Sequence, residues 1–465
     1  MKPFKFDVKS NLKLDLDLEF RPIILNNLKF EEAVKNSENP VKIKIALERP
    51  NNQISTYNCY IFNYKLSQDE ANFIYVERLI KTLLWLKGGY KIYVGGDQSL
   101  GERIKKAYSV GGLRNFDQDF MSKVYERPFE VEIVDFDEVP ENHEISHPVG
   151  RHLDGYRIGF DAGGSDRKVS AVVDGKSIFS EEVVWFPKEK SDPKYHYDGI
   201  MDSLKRAASK MPRVDAIGVS SAGIFIDNRI AVASLFRKVP QELFDKEVRD
   251  MYFKIKKEFG DIPLEVANDG DVTALAGAMS LESNQVLGIA MGTSEAAGYV
   301  DKFGNITGWL NELSFVPVDY NLNSMVDEWS NDFGVGSTYF SQDAVIKLAK
   351  TANITLDESF SPAKKLKEVQ ALAKQKNPKA LKIFTTIGVY LGYELAYYSR
   401  FYDILNVLIL GRVTSGIGGE KILEACKNIL KNEFKELYEK INITLPDEKS
   451  RRVGQSIAAA SLPRI

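Results

Sequence analysis

The residues best suited to chemistry lie in one short turn, Asp161-Ala-Gly163-Gly164-Ser165-Asp166-Arg-Lys168. Two glycines and a small hydroxyl at its tip let backbone N–H groups come close to phosphate oxygens, while Asp161 at the entry can face a hydrated divalent ion. Hairpin tips of any purpose use Asp and Gly, so the turn alone does not decide the matter. Two more glycine-rich turns follow far along the chain, at Gly292-Thr293-Ser294 and at Gly411-Arg-Val-Thr-Ser-Gly416-Ile-Gly418-Gly419.

The surrounding pattern says what must position these turns. Apolar runs at 156–160 and 169–173 read as two strands joined by the first turn, which makes it a hairpin and not a strand-to-helix loop. A strand at 215–221 runs into Ala222-Gly223, and the run 264–268 opens a helix through Asn268-Asp269-Gly-Asp271. A second glycine hairpin spans 287–300. The buried run 407–410 empties into the last glycine loop ahead of a helix.

This order resembles the ROK family (repressors, open reading frames, kinases) of sugar kinases, within the actin-like ATPase superfamily, over residues 156–462. The resemblance implies an α/β fold: a two-lobed, ribonuclease H-like kinase body with lobes at 151–275 and 276–465, its last helix returning to the first lobe. It further implies that Asp161, Gly163, Gly164, Ser165 and Lys168 form the first phosphate motif, with Ser165 where the family has Thr. Gly292 and Thr293 correspond to the second phosphate motif, and Gly411, Gly416, Gly418 and Gly419 to the segment that packs on adenosine. Asn268-Asp269 matches the pair whose aspartate is the catalytic base.

The implied reaction moves the γ-phosphoryl group of ATP to a hydroxyl, which needs charge neutralisation, Mg2+ and a proton-accepting carboxylate. Asp161 would face the Mg2+ through water, and Asp269 would take the proton. An ordinary N-cap is the competing reading of Asp269, and Asp271 is the less favoured base. On the acceptor side the segment Asn311-Glu312-Leu-Ser-Phe315 keeps the family's sugar-gripping Glu as Glu312 but loses its Gly and His. Ser234 stands near the position of a sugar-reading Asn, Asn268 flanks the base, and Glu295 departs from the family inside the second hairpin, facing either acceptor or solvent. The expected partner is thus a small molecule, a sugar or a sugar-like polyol, and a homodimer is left open.

Composition agrees with a cytoplasmic protein. The 465 residues carry a net charge of -3, which gives no general attraction for nucleic acid or anionic membrane, and no stretch reads as a signal peptide or a bilayer span. Cys59 and Cys426 are the only cysteines. They read as core residues, and their number excludes the Cys-rich zinc loop of many ROK proteins. Neither GxxxxGK[ST] nor GxGxxG occurs, which argues against P-loop and Rossmann alternatives.

Residues 1–150 do not fit the kinase pattern and read as an added α/β or α+β domain. Strands are expected at 41–47 and 55–62 before any helix, then a helix capped by Ser67 and stopped at Gly88-Gly89, a strand at 91–95, a helix at 102–108 and a strand at 129–135. The junction 95–101 is either an anion site or, the preferred reading, a tight turn whose Asp97 and Ser99 cap a helix. His143, His147 and His152 crowd the segment before the kinase body; a polar linker is preferred to a zinc site. The charged run 364–376 reads as a solvated helix face. Two non-kinase functions also fit this architecture: a ligand sensor that keeps the fold, and an ATPase coupled to a protein partner.

Overall fold

The computed structural model describes residues 2–145, 149–446 and 448–465. Three sheets organise it. The first, in the order β2-β1-β3-β4, uses β1 (Val41–Arg49), β2 (Gln53–Ile61), β3 (Lys91–Gly95) and β4 (Glu130–Val134). Only β3 and β4 run parallel. The second contains β5 (Tyr156–Ala162), β6 (Asp166–Val173), β7 (Lys176–Val184) and β8 (Ala216–Ser221). It is followed by a small separate hairpin, β9 (Ile224–Ile226) with β10 (Arg229–Val232), and completed by β11 (Leu264–Asn268) in the order β11-β8-β5-β6-β7. The third is β13-β12-β14-β15, from β12 (Val286–Met291), β13 (Glu295–Val300), β14 (Asn406–Leu410) and β15 (Asn442–Thr444).

In both later sheets an antiparallel hairpin is extended by parallel strands. The glycine turns therefore sit at corresponding strand ends of the two hairpins, and the helix Asp269–Ser280 packs on β12 and β13. The helix Glu448–Ala460 lies on β5 and β8. Two glycines admit it: a Cβ on Gly159 would come within 2.0 Å of the Ser456 carbonyl oxygen, and one on Gly218 within 1.7 Å of that of Ala459.

The first 145 residues share one apolar core with the third sheet and its helices. Phe6 stacks on Tyr320 at 4.5 Å, Phe20 meets Tyr390 edge-on at 4.6 Å, and Trp85 packs on Phe315 at 4.3 Å between ring centroids. Beneath the rings lies a buried ionic knot. Asp332 receives Arg78 at 2.6 Å, Arg114 at 2.7 Å and Lys81 at 3.3 Å, while Asp117 takes Lys81 at 2.8 Å and Glu77 pairs with Arg114. Three cations thus face three carboxylates, with none of the six residues more than 6% exposed. Among the described residues no helix is long and apolar enough to cross a membrane.

Several local expectations need correction. A helix, Ile23–Lys35, precedes the first sheet. Its periodicity is masked because Asn26 and Asn27 lie on its buried face, Asn26 bonded to Val8 and Pro22 and Asn27 accepting from Tyr320 Oη. Ser67 is not the cap of the helix Asp69–Lys87; it has φ +52° and closes a preceding 3-10 turn, and Gln68 occupies the cap position with its side chain bonded to Phe4 N and Lys2 O. Helix Gln98–Ala107 begins four residues earlier than the sequence suggests, and Asp97 caps it by accepting from Leu100 N at 2.7 Å. Of the two caps expected at that junction Asp97 is one, whereas Ser99 lies inside the helix. In the linker, His143 bridges to Ile54 and its Nδ1 lies 2.8 Å from Asn52 O; His147 lies outside the described residues.

Removing one member of the knot strands charges that water cannot reach. Asp332→Asn should lower unfolding free energy by about 3–5 kcal/mol in urea titrations; a loss below about 1 kcal/mol would show that the knot does not hold the N-terminal region in place.

Candidate active site

The first hairpin is built as its residues require. Asp161, the next-to-last residue of β5, is 8% exposed and accepts from Ser220 Oγ at 2.9 Å across the parallel pairing with β8. The tip at Gly164 and Ser165 is exposed. Trp185 braces it from both sides, its Nε1 donating to Gly163 O at 2.7 Å and its backbone N–H to Ser165 O at 3.1 Å. Lys168 leans back over the entry, 2.8 Å from Asp166 and 3.8 Å from Asp161.

Asn268 caps the central helix by accepting from Gly270 N at 2.7 Å, and its amide donates to Gly223 O at 2.7 Å. Asp269 is thereby relieved of the capping role, although it also accepts from Gly270 N at 3.0 Å. Asp271 points the other way. Its Oδ1 accepts from Tyr299 N at 3.1 Å and from Asn311 Nδ2 at 3.0 Å, and Asn311 in turn accepts from Tyr402 Oη at 2.9 Å. These bonds make Asp271 a brace.

Glu312 reaches this cluster because of the N-terminal region. The helix Asp69–Lys87 ends with carbonyls that bulk packing leaves available, and Leu86 O accepts from Asn311 N while Trp85 O accepts from Glu312 N, both at 3.0 Å. Asn311 takes φ +52°, a left-handed conformation that Asn tolerates. A cavity of about 770 Å³ runs from Asn268 and Asp271 past Gly223 to Trp309 and Tyr125.

Asp271 lines this cavity, and the charge of Asp269 acts on Asp271 and on two further buried carboxyls, Asp161 and Glu312. Burial pushes Asp161 up to about 6, with Asp269 adding to the rise and Lys168 opposing it. Burial likewise lifts Asp271 to about 7 and Glu312 to about 7, in each case helped by Asp269. Asp269 itself is raised by burial, against its hydrogen bond from Gly270 and the charge of Lys188. The carboxyls of Asp161, Asp271 and Glu312 thus all sense Asp269.

The remaining sequence-derived positions divide. Gly292 and Thr293 form an open tip, with the backbone of Ser294 3.7 Å from a Cβ on Gly292. Gly416 is equally open at φ +63°. Gly411, Gly418 and Gly419 have packing reasons of their own: side chains there would strike Met291 O at 2.2 Å, Phe384 Cδ1 at 2.9 Å and Thr414 O at 1.9 Å. Ser234 is exposed and begins a 3-10 turn beside Ala233, which closes on Gly223. Glu295 does not face solvent: it is 3% exposed and turned toward Gly336 and Tyr398, and burial pushes its carboxyl up to about 8.

Three contributors carried no signal in the sequence: the carbonyls of Trp85 and Leu86, the bracing ring of Trp185, and Lys188, which lies against Gly164. Each comes from a segment distant along the chain.

No protein-family profile matches the chain, and no curated protein sequence does. Among solved structures it is similar to a ROK hexokinase from Thermus thermophilus, at 18% identity and TM-score 0.50, with 65% of this chain and 97% of that one covered. It is also similar to a ROK family glucokinase from Streptomyces griseus in complex with glucose and AMPPNP, at 18% identity and TM-score 0.48, covering 66% and 98%. A ROK family transcriptional regulator, a homolog of the E. coli MLC protein, aligns at 14% identity and TM-score 0.49, covering 67% and 79%. The likeness to the hexokinase shows the fold: about two thirds of the chain has the two-lobed, actin-like architecture of ROK proteins.

The raised carboxyls fix a sign for pH dependence. Each binds its proton more tightly in the folded chain, so its stabilising contribution is complete below pH about 4 and is lost as pH rises through about 6 to 7. Without ligands the protein should be more stable to urea at pH 5 than at pH 8. Asp271→Asn, which keeps the oxygen that Tyr299 and Asn311 bond, should reduce that difference by roughly 2 kcal/mol; an unchanged difference would remove Asp271 from the titrating set.

Proposed function

We propose that this protein is an ATP-dependent kinase that phosphorylates a hydroxyl of a sugar or sugar-like polyol. The observation carrying the proposal is the glycine hairpin with an exposed tip, entered by the buried Asp161, together with Asp269 at the opening of the central helix, whose charge acts on Asp161 and Glu312. The name of the Thermus structure, a hexokinase, agrees with phosphoryl transfer.

The residues divide the work. Backbone N–H groups around Gly163, Gly164 and Ser165, and that of Thr293, donate to phosphate oxygens, while Gly292 N–H closes its own turn on Ser294 O at 2.9 Å and Gly416 leaves the last loop open toward the base of the nucleotide. Among the described residues no three His, Cys, Asp or Glu groups converge as direct metal ligands. Mg2+, which keeps most of its waters, fits a site where phosphates supply direct ligands and Asp161 faces the hydrated ion. When bound, the ion neutralises charge on the phosphates. Asp269, raised in pKa and free of the cap, accepts the acceptor's hydroxyl proton, and Glu312 holds the acceptor.

Replacing the base while keeping its shape isolates chemistry from folding. Asp269→Asn should cut kcat by about 10²- to 10⁴-fold with a thermal midpoint no lower than that of the unaltered protein, since it removes a buried charge; activity retained in that variant would move the base to Asp271 or end the kinase reading.

Glu312→Gln should weaken acceptor binding by about 1.5–3 kcal/mol and leave Mg-ATP affinity nearly unaltered. Calorimetry across monosaccharides, amino sugars and polyols would identify the acceptor. If none raises the rate of ADP release, the sensor or partner-coupled functions replace this one.

A further inference from the structure

Lys188 is a cleft residue that the roles assigned above leave unused. It lies in the middle of the 3-10 turn Pro187–Glu189, just after Trp185, the ring that braces Gly163. The turn is fixed from outside: Lys188 O accepts from Arg237 Nε at 3.3 Å, and Pro187 O lies 3.0 Å from Nε2 of the buried His196. Its side chain runs over the hairpin tip. A Cβ on Gly164 would lie 2.9 Å from Lys188 Cε and 3.0 Å from its Nζ, so the missing side chain of Gly164 is what gives the ammonium its place.

The same ammonium acts through space on Asp269. It therefore stands over the phosphate turn and within electrostatic reach of the base, the two groups that a transferred phosphoryl must lie between. Lys168 is differently disposed, since its charge is taken up by Asp166 at 2.8 Å. Among the described residues no ion pair engages Lys188 Nζ, which leaves it able to meet an incoming anion.

We propose that Lys188 is a catalytic residue whose ammonium contacts the γ-phosphoryl group and neutralises charge on its oxygens during transfer. The bond from phosphorus to the ADP oxygen breaks, the bond to the acceptor oxygen forms, and the acceptor's proton passes to Asp269. Lys188 stays protonated throughout and gives up nothing. A point charge on a flexible stem suits this task, because it follows the group as it moves from donor to acceptor. This inference rests on the kinase reading and adds a residue to it.

The test separates a γ-phosphate contact from general nucleotide binding. Calorimetry with Mg-ADP and Mg-AMPPNP should show Lys188→Met weakening AMPPNP about tenfold while ADP stays within about twofold, and kcat should fall on the order of 10²-fold. Lys188→Arg should recover part of both losses. The thermal midpoint should not fall, since Lys188 is half-exposed and Met keeps the length of its apolar stem over Gly164. Equal losses for the two nucleotides, or wild-type values for both, would overturn the assignment while leaving the kinase reading intact. Failure of the unaltered protein to bind either nucleotide would overturn the kinase reading, and this assignment with it.

Discussion

The buried knot around Asp332 is the constraint on which the rest of the molecule depends. Ions removed from water are tolerated only when their charges balance and their hydrogen bonds are filled, and here three cations meet three carboxylates in a pocket sealed by Trp85, whose Nε1 donates to Asp117 at 2.6 Å. Such a cluster contributes little by attraction alone. Its effect is specificity, because sliding the helix Asp69–Lys87 by one residue would leave charges unpaired. The helix end is thereby set, and with it the two carbonyls that hold Asn311 and Glu312.

That linkage changes how the N-terminal 145 residues should be regarded. They share one apolar core with the third sheet and its helices. Their aromatic rings fill the same core as the helix Pro378–Tyr398, and their backbone shapes one wall of the cleft. The segment from Asn311 to Phe315 is held at its start by the end of a helix from this region.

The cleft itself is electrostatically the opposite of the knot. Its carboxyls outnumber the cations near them, so burial and mutual repulsion raise their pKa values. A site left in that condition is stabilised by whatever brings positive charge or takes up a proton-bearing group. Structural ion clusters balance their charges, whereas this one leaves its carboxyls in excess.

Much of this was legible in the sequence, and the reason is local. The hairpin through Gly163 and Gly164, the strand that delivers Asp269 and the last glycine loop are each written in a few adjacent residues, because turns and strand ends are determined by nearest neighbours. Their order along the chain was enough to reveal the ROK-like fold. What the sequence left undecided depends on contacts between distant segments. The helix Ile23–Lys35 was hidden because its buried asparagines are satisfied by Val8, Pro22 and Tyr320. Its place in the hairpin leaves Glu295 facing either acceptor or solvent, and only the packed structure shows it buried against Gly336. Only tertiary structure brings Lys188 over Gly164 and the carbonyl of Trp85 to Glu312, since no spacing in one dimension records which surfaces a packed core will press together.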